Sequence, residues 1–344
     1  MSLLIGGLLV NSLPFAAFGA GILALTLTLA CGPWYIRWLK ERFRERIASD
    51  SVRLNELHAS KRNTPTMGGL IIVGSTVVSF LSFSDATSML VWLLCLTMQA
   101  LLLLGGADDW IKQRTSKQGL TARQKFTFQW LISFFAAGGI WTLRSIEGNP
   151  GSVMIPWTAQ TMDPGVFWIP WAAFVIVGSS NAVNLTDGLD GLATGCSAIT
   201  SIFLTVAIGC STVAVVDDAS RQVAVISSAA LAGSTLGFLW WNRHPAQVFM
   251  GDAGSLPIGG MLALAALLSG HELLLAILSG VFVVETMSVI VQVVWYRRTG
   301  RRLLLCSPLH NHFVFRGVAE QKIVSAFWVT AVFAGVLGLT SVIW

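Results

Sequence analysis

Apolar runs of about 20 residues recur from one end of this 344-residue chain to the other, and no other feature constrains its fold so tightly. A run of that length crosses the hydrocarbon of a bilayer as one helix. Ten runs are read at 13–36, 66–84, 88–106, 126–143, 165–182, 192–211, 222–241, 253–270, 272–296 and 323–343, the eighth and ninth separated only by Gly270, His271 and Glu272. They are continuous rather than alternating, which argues for helices and against a β-barrel. Only 11% of residues are charged, against roughly 25% in an average soluble domain. No interval between runs is long enough for a separate globular unit. The expectation is an all-α polytopic membrane protein: one integral-membrane domain over 1–344 with about ten transmembrane helices. The N-terminal stretch has no Lys or Arg before its apolar residues, so it reads as a lead-in to the first span rather than a cleavable signal.

Charge sets the expected orientation. Eight basic residues lie in 37–62, five in 112–125 and seven in 243–322, and only Arg144 and Arg221 fall elsewhere. With ten spans these basic segments share one side, which the positive-inside rule makes cytoplasmic, leaving both termini outside. The outer segment 145–165 alternates turn residues with β-formers and reads as a small external hairpin. Asp163, Asp217 and Asp218, also outside, read as solvated. Cys31, Cys95, Cys196, Cys210 and Cys306 are scattered without CxxC spacing, so they are expected to pack as small hydrophobes, with neither disulfides nor zinc.

Against that background five carboxylates stand out. Asp108 and Asp109 end the third run, Asp187 and Asp190 lie between the fifth and sixth, and Asp252 opens the eighth. Carboxylates beside hydrocarbon are costly unless paired, wetted or bound to a cation. The inferred topology puts all five on the cytoplasmic face, together with TPTMGG (64–69) and SPLHNHF (307–313). Asp and Asn oxygens suit a hard cation such as Mg²⁺. Lys61, Lys112 and Lys125 can meet diphosphate oxygens as point charges. Asp187 and Asp190, three apart, can share a helical face. His310 and His312, in a loop after Pro308, suit a phosphate or acid–base role. The arrangement fits phosphoryl transfer, where catalysis is mostly positioning and charge neutralisation. Glu285 is an intramembrane acid and hence a functional candidate; His58, His244 and His271 carry no functional expectation.

At these residues the chain resembles the polyprenyl-phosphate N-acetylhexosamine-1-phosphate transferases. The matching motifs are TPTMGG (64–69), DDWIK (108–112), NAVNLTDGLDGLA (181–193), FMGDAGSL (249–256) and PLHNHF (308–313), in family order over about residues 60–317. TPTMGG, NLTDGLDG and the histidine motif favour the muramoyl-pentapeptide branch over those using UDP-GlcNAc. The resemblance implies a bacterial inner-membrane enzyme of peptidoglycan synthesis, with ten helices and outside termini. Its reaction would convert UDP-MurNAc-pentapeptide and undecaprenyl phosphate into lipid I and UMP. It implies Asp252 as the Mg²⁺ ligand, Asp108 and Asp109 beside the lipid phosphate, and Lys112 and Lys125 on phosphates. The nucleotide pocket would use Lys61, Thr66, Asn184, Leu185, Asp187, Gly188, Asp190 and Phe249, with His310 near the sugar-phosphate end and His312 beside it. A homodimer is implied by resemblance alone, and no nucleic-acid partner is expected. The family's run of three histidines followed by Phe-Glu reads here His310-Asn311-His312-Phe313-Val314. Asn cannot become cationic, so a role requiring positive charge at 311 does not carry over. The rival readings are a UDP-GlcNAc transferase, closest in chemistry, and a transporter, which would place acids mid-span and show related halves.

Overall fold

The computed structural model describes residues 13–42, 64–115, 119–146, 148, 151–158, 160–211 and 216–343. Lys61 and Lys117 lie outside the described residues. Twelve α-helices account for nearly all of the described secondary structure. They are α1 (Leu13–Arg42), α2 (Gly69–Phe83), α3 (Met89–Arg114), α4 (Ala122–Ser145), α5 (Trp168–Thr186) and α6 (Leu192–Cys210), then α7 (Asp218–Asn242), α8 (Asp252–Ser269), α9 (Glu272–Leu278), α10 (Gly280–Thr299), α11 (Leu309–Phe315) and α12 (Glu320–Ile343). Nine described helices are long and apolar enough to cross a membrane, and the 15-residue α2 is a shorter apolar helix beside them. The chain is thus an all-α, multi-pass membrane protein. In the 145–165 segment a two-residue antiparallel ladder pairs β1 (Val153–Met154) with β2 (Thr161–Met162).

Four details depart from the sequence reading. The expected ninth helix is broken at Ser279 into α9 and α10. The histidine motif is a short helix, α11, rather than a loop. Residues 187–191 form a turn between α5 and α6, so Asp187 and Asp190 do not share a helical face. Asp217 caps α7, its side chain accepting the Ser220 N–H at 2.7 Å, where a purely solvated carboxylate was expected.

The organising element is α8, every residue of which is buried. It packs against α3, α5, α7 and α2. Between transmembrane helices, small residues let backbones approach closely and so substitute for the missing hydrophobic driving force. Gly105 of α3 shows this directly, since a Cβ there would overlap the backbone carbonyl of Asp252. That contact ties the C-terminal half of α3 to the first residue of α8, and with it the Asp108–Asp109 pair to Asp252.

Candidate active site

Four helices bring polar side chains together at the N-terminus of α8. Helix α3 runs two turns beyond its apolar stretch, carrying Asp108, Asp109 and Lys112 on its exit. Thr121 starts α4 with a reciprocal capping box to Gln124, and the first turn of α4 carries Lys125 to the same point. Asn184 comes from the last turn of α5. Asp252 is the first residue of α8, just after Gly251.

The contacts are short. Lys125 Nζ lies 2.7 Å and Lys112 Nζ 2.9 Å from Asp252 Oδ2, and Asn184 Nδ2 donates to Asp252 Oδ1 and to Ser255 Oγ. Lys112 also meets Asp108 Oδ2 at 2.6 Å. The backbone N–H of Leu120 donates to Asp108 Oδ1 at 2.7 Å, and that of Ala253 to Asp109 Oδ2 at 3.0 Å. Asp108, Asp109 and Asp252 are all buried, each offering an oxygen within 4.8 Å of the others. Gly251 makes this approach possible: its φ is +70°, and a Cβ would crowd Asp109 Oδ2 and Thr66 Oγ1.

The donor set fits a hard divalent cation. It is all oxygen, from three carboxylates beside two ammonium groups, and the Lys112 side chain is 40% exposed. Asp252 sits between the α3 pair and both lysines.

The TPTMGG segment straps onto this end. Phe249 N–H donates to the Pro65 carbonyl, Gly68 N–H to that of Phe249 and Gly69 N–H to that of Met250. Thr66 is buried beside Gly251. The Asp187–Gly191 turn is held by Asn242, whose Oδ1 accepts from Gly191 N–H and from Thr194 Oγ1. Gly188 faces the His310 ring, so the histidine helix closes over that turn. Asn184 and Leu185 in the last turn of α5 lead into it.

Asp190 goes elsewhere. Its Oδ2 meets His244 Nδ1 and the Ala246 N–H, each at 3.1 Å, and its own N–H donates to Glu320 Oε1 at 2.7 Å. It forms a second cluster with His244 and Glu320, outside the three-carboxylate group. His244, given no role from sequence, is a partner of this turn. The pairing crosses 54 residues, and no local spacing announces it.

His312 accepts the Leu305 N–H at its Nδ1. Cys306, the nearest cysteine in sequence, has its thiol pushed up by burial and is not poised as a thiolate. All five cysteines are unpaired.

Residues 90–270 match the model of glycosyl transferase family 4, and residues 61–73 match signature 1 of phospho-N-acetylmuramoyl-pentapeptide-transferase. A phospho-N-acetylmuramoyl-pentapeptide-transferase of Oleidesulfovibrio alaskensis is 40% identical over 95% of this chain and 92% of its own length. This chain belongs to that family. Relatives of the same name from Thermoanaerobacter sp. (40% identical; 94% of this chain, 97% of theirs) and Chlorobaculum parvum (37%; 94% and 91%) extend the match. The family model ends at 270, before Glu285 and the histidine helix, whereas the whole-length relatives span both.

Proposed function

We propose that this chain transfers phospho-MurNAc-pentapeptide from UDP-MurNAc-pentapeptide to undecaprenyl phosphate, releasing UMP, on the cytoplasmic face of a bacterial inner membrane. The observation that carries the reading is the meeting of Asp108, Asp109, Lys112, Lys125 and Asn184 around Asp252 at one end of a transmembrane bundle. A water-borne diphosphate and a membrane-held phosphate can both reach such a place. Carboxylates gathered at helix ends, rather than mid-span, weigh against a transporter.

In a one-step mechanism an oxygen of the lipid phosphate forms a bond to the β-phosphorus of the UDP-sugar. The bond from that phosphorus to the bridging oxygen breaks, and UMP leaves with the electron pair. Lys112 and Lys125 hold the two anions close enough to react, and Asp108 orients the lipid phosphate and takes its proton where one is present. The carboxylates of Asp252, Asp108 and Asp109 would hold Mg²⁺, which when bound supplies charge neutralisation at the diphosphate. The turn at 187–190, with Thr66, Asn184, Leu185 and Phe249, serves the nucleotide side. An apolar groove of about 310 Å³ between α5, α8, α9 and α10, lined by Trp171, Phe174, Phe282 and Ile290 among others, suits an isoprenoid chain. Its lining includes Ala182 and Val183, next in sequence to Asn184.

The test is one assay: purified protein, Mg²⁺, undecaprenyl phosphate and either UDP-MurNAc-pentapeptide or UDP-GlcNAc, with UMP release measured. Release with the first donor and not the second is expected; the reverse makes the chain a GlcNAc-1-phosphate transferase. Exchange of labelled UMP into the donor without lipid phosphate would replace the one-step route by an aspartyl-phosphate intermediate.

A further inference from the structure

His310 is held by a carboxylate that the mechanism above does not use. Glu285 lies in the second turn of α10 and is fully buried, and His310 is 1% exposed. Both carboxylate oxygens of Glu285 are committed to this one residue. Oε1 accepts the His310 backbone N–H at 3.0 Å, and Oε2 lies 3.0 Å from His310 Nδ1. A carboxylate can only accept, so Nδ1 carries the hydrogen. The second ring nitrogen, Nε2, is buried, has no hydrogen-bond partner and faces Gly188, where a Cβ would overlap it. Leaving a buried polar atom without a partner costs about 1–3 kcal/mol, an expense expected where a ligand completes the bond. His312, two residues on, is held the other way, with Nδ1 accepting from Leu305 N–H. The two imidazoles of one short helix are therefore fixed in opposite tautomers.

We infer that Glu285 is a positioning residue that locks His310 with its proton on Nδ1 and presents Nε2 to the nucleotide-sugar at the Gly188 turn. This rests on the transferase reading for its substrate. Nε2 is the atom that exchanges a hydrogen bond or a proton with that substrate. The backbone bond adds a second constraint: Oε1 fixes where α11 starts as well as how its ring is turned. Glu285→Gln separates the two. Its amide oxygen can still accept the His310 N–H, but its NH₂ then faces Nδ1, which must give up its hydrogen, so the proton moves to Nε2.

The test combines turnover with ¹⁵N NMR of histidine-labelled protein in nanodiscs, the His310 signals being assigned by their loss in His310→Gln. Wild-type protein is expected to show a protonated Nδ1. Glu285→Gln is expected to show a deprotonated Nδ1 and a protonated Nε2. Its kcat for UMP release should fall about 10²–10³-fold, within the range for a displaced acid–base group, while KM for UDP-MurNAc-pentapeptide changes less than about threefold. Glu285→Asp, which keeps the carboxylate, should retain the Nδ1 signature and recover part of kcat. Three results would overturn the inference: a deprotonated Nδ1 in the wild type, full turnover in Glu285→Gln, or equal losses in both variants with the tautomer unchanged. If Glu285→Gln does not fold, the wild-type spectrum and Glu285→Asp still decide. Wild-type protein that shows the Nδ1 signature but releases no UMP supports the lock and refutes the transferase reading.

Discussion

The two ends of α8 carry buried charge in opposite ways. At Ser269, Arg144 is buried, donates to the Leu267 carbonyl at 3.2 Å and stands over the Trp168 ring at 5.9 Å. Its charge acts on the buried Glu272, whose Oε1 accepts the Trp168 indole N–H at 3.0 Å. The strand segment closes over this end through Met154 N–H to the Gly270 carbonyl. Among the described residues the two make no direct ion pair; each is held by backbone or by Trp168. At Asp252 three carboxylates face two ammonium groups, and one of those lysines is substantially exposed. Two buried charged residues bridged by one aromatic ring form a structural plug. A directly paired cluster with one lysine reaching solvent is a site that a charged ligand can approach.

Neutralising the hub of the open end should give the largest effect. Asp252→Asn is expected to lower kcat for UMP release by about 10³-fold or more, equivalent to about 4 kcal/mol of transition-state stabilisation, without loss of the folded state. Near-normal Mg²⁺-dependent turnover in that variant would remove Asp252 from the metal assignment. Lys125→Met comes next. Removing one of two lysines should cost about 10–10²-fold in kcat/KM, since Lys112 still meets Asp252. An unchanged kcat/KM would mean that Lys125 serves only to neutralise Asp252.

The closed end should respond in the other currency. Arg144→Met removes the donor to the Leu267 carbonyl and the group over the Trp168 ring, and losing a buried hydrogen-bond partner costs about 1–3 kcal/mol. The expected outcome is a clear fall in thermal unfolding temperature in detergent, with kcat per folded molecule unchanged. A variant that keeps its stability but loses turnover would make this end part of the catalytic machinery and cancel the contrast.

The helices were legible because apolar length is written locally, and the convergence of the polar motifs because the basic residues grouped their loops at one end. Asp108, Asp109 and Asp252 could be named for the same reason: a carboxylate next to hydrocarbon is conspicuous. What stayed hidden depends on contacts across the chain. His244 meets Asp190 over 54 residues, and His310 meets Glu285 over 25. Hydropathy sees 272–296 as one run because Ser279 barely interrupts it, yet the backbone breaks there. The turn at 187–191 misled the helical-face reading, since Asp187 and Asp190 are spaced like helix neighbours but α5 ends at Thr186 and α6 starts only after Gly191.

The smallest expected effect lies at Asn311, where the resemblance would place a histidine. Asn311 is 8% exposed, its Oδ1 has no hydrogen-bond partner, and its N–H donates to the Pro308 carbonyl within the first turn of α11. The lock on His310 does not pass through it, because both oxygens of Glu285 are taken by His310. Asn311→His therefore adds a titratable ring beside the site without touching its hub. Turnover is expected to stay within about threefold of wild type, the scale of a substitution that moves less than about 0.7 kcal/mol. A gain of tenfold or more would mean that positive charge at 311 contributes to catalysis and that this chain works without it. A tenfold loss would mean that the amide at 311 has become a working contact of its own. Either result would extend the working end of the molecule from the α8 terminus into the histidine helix.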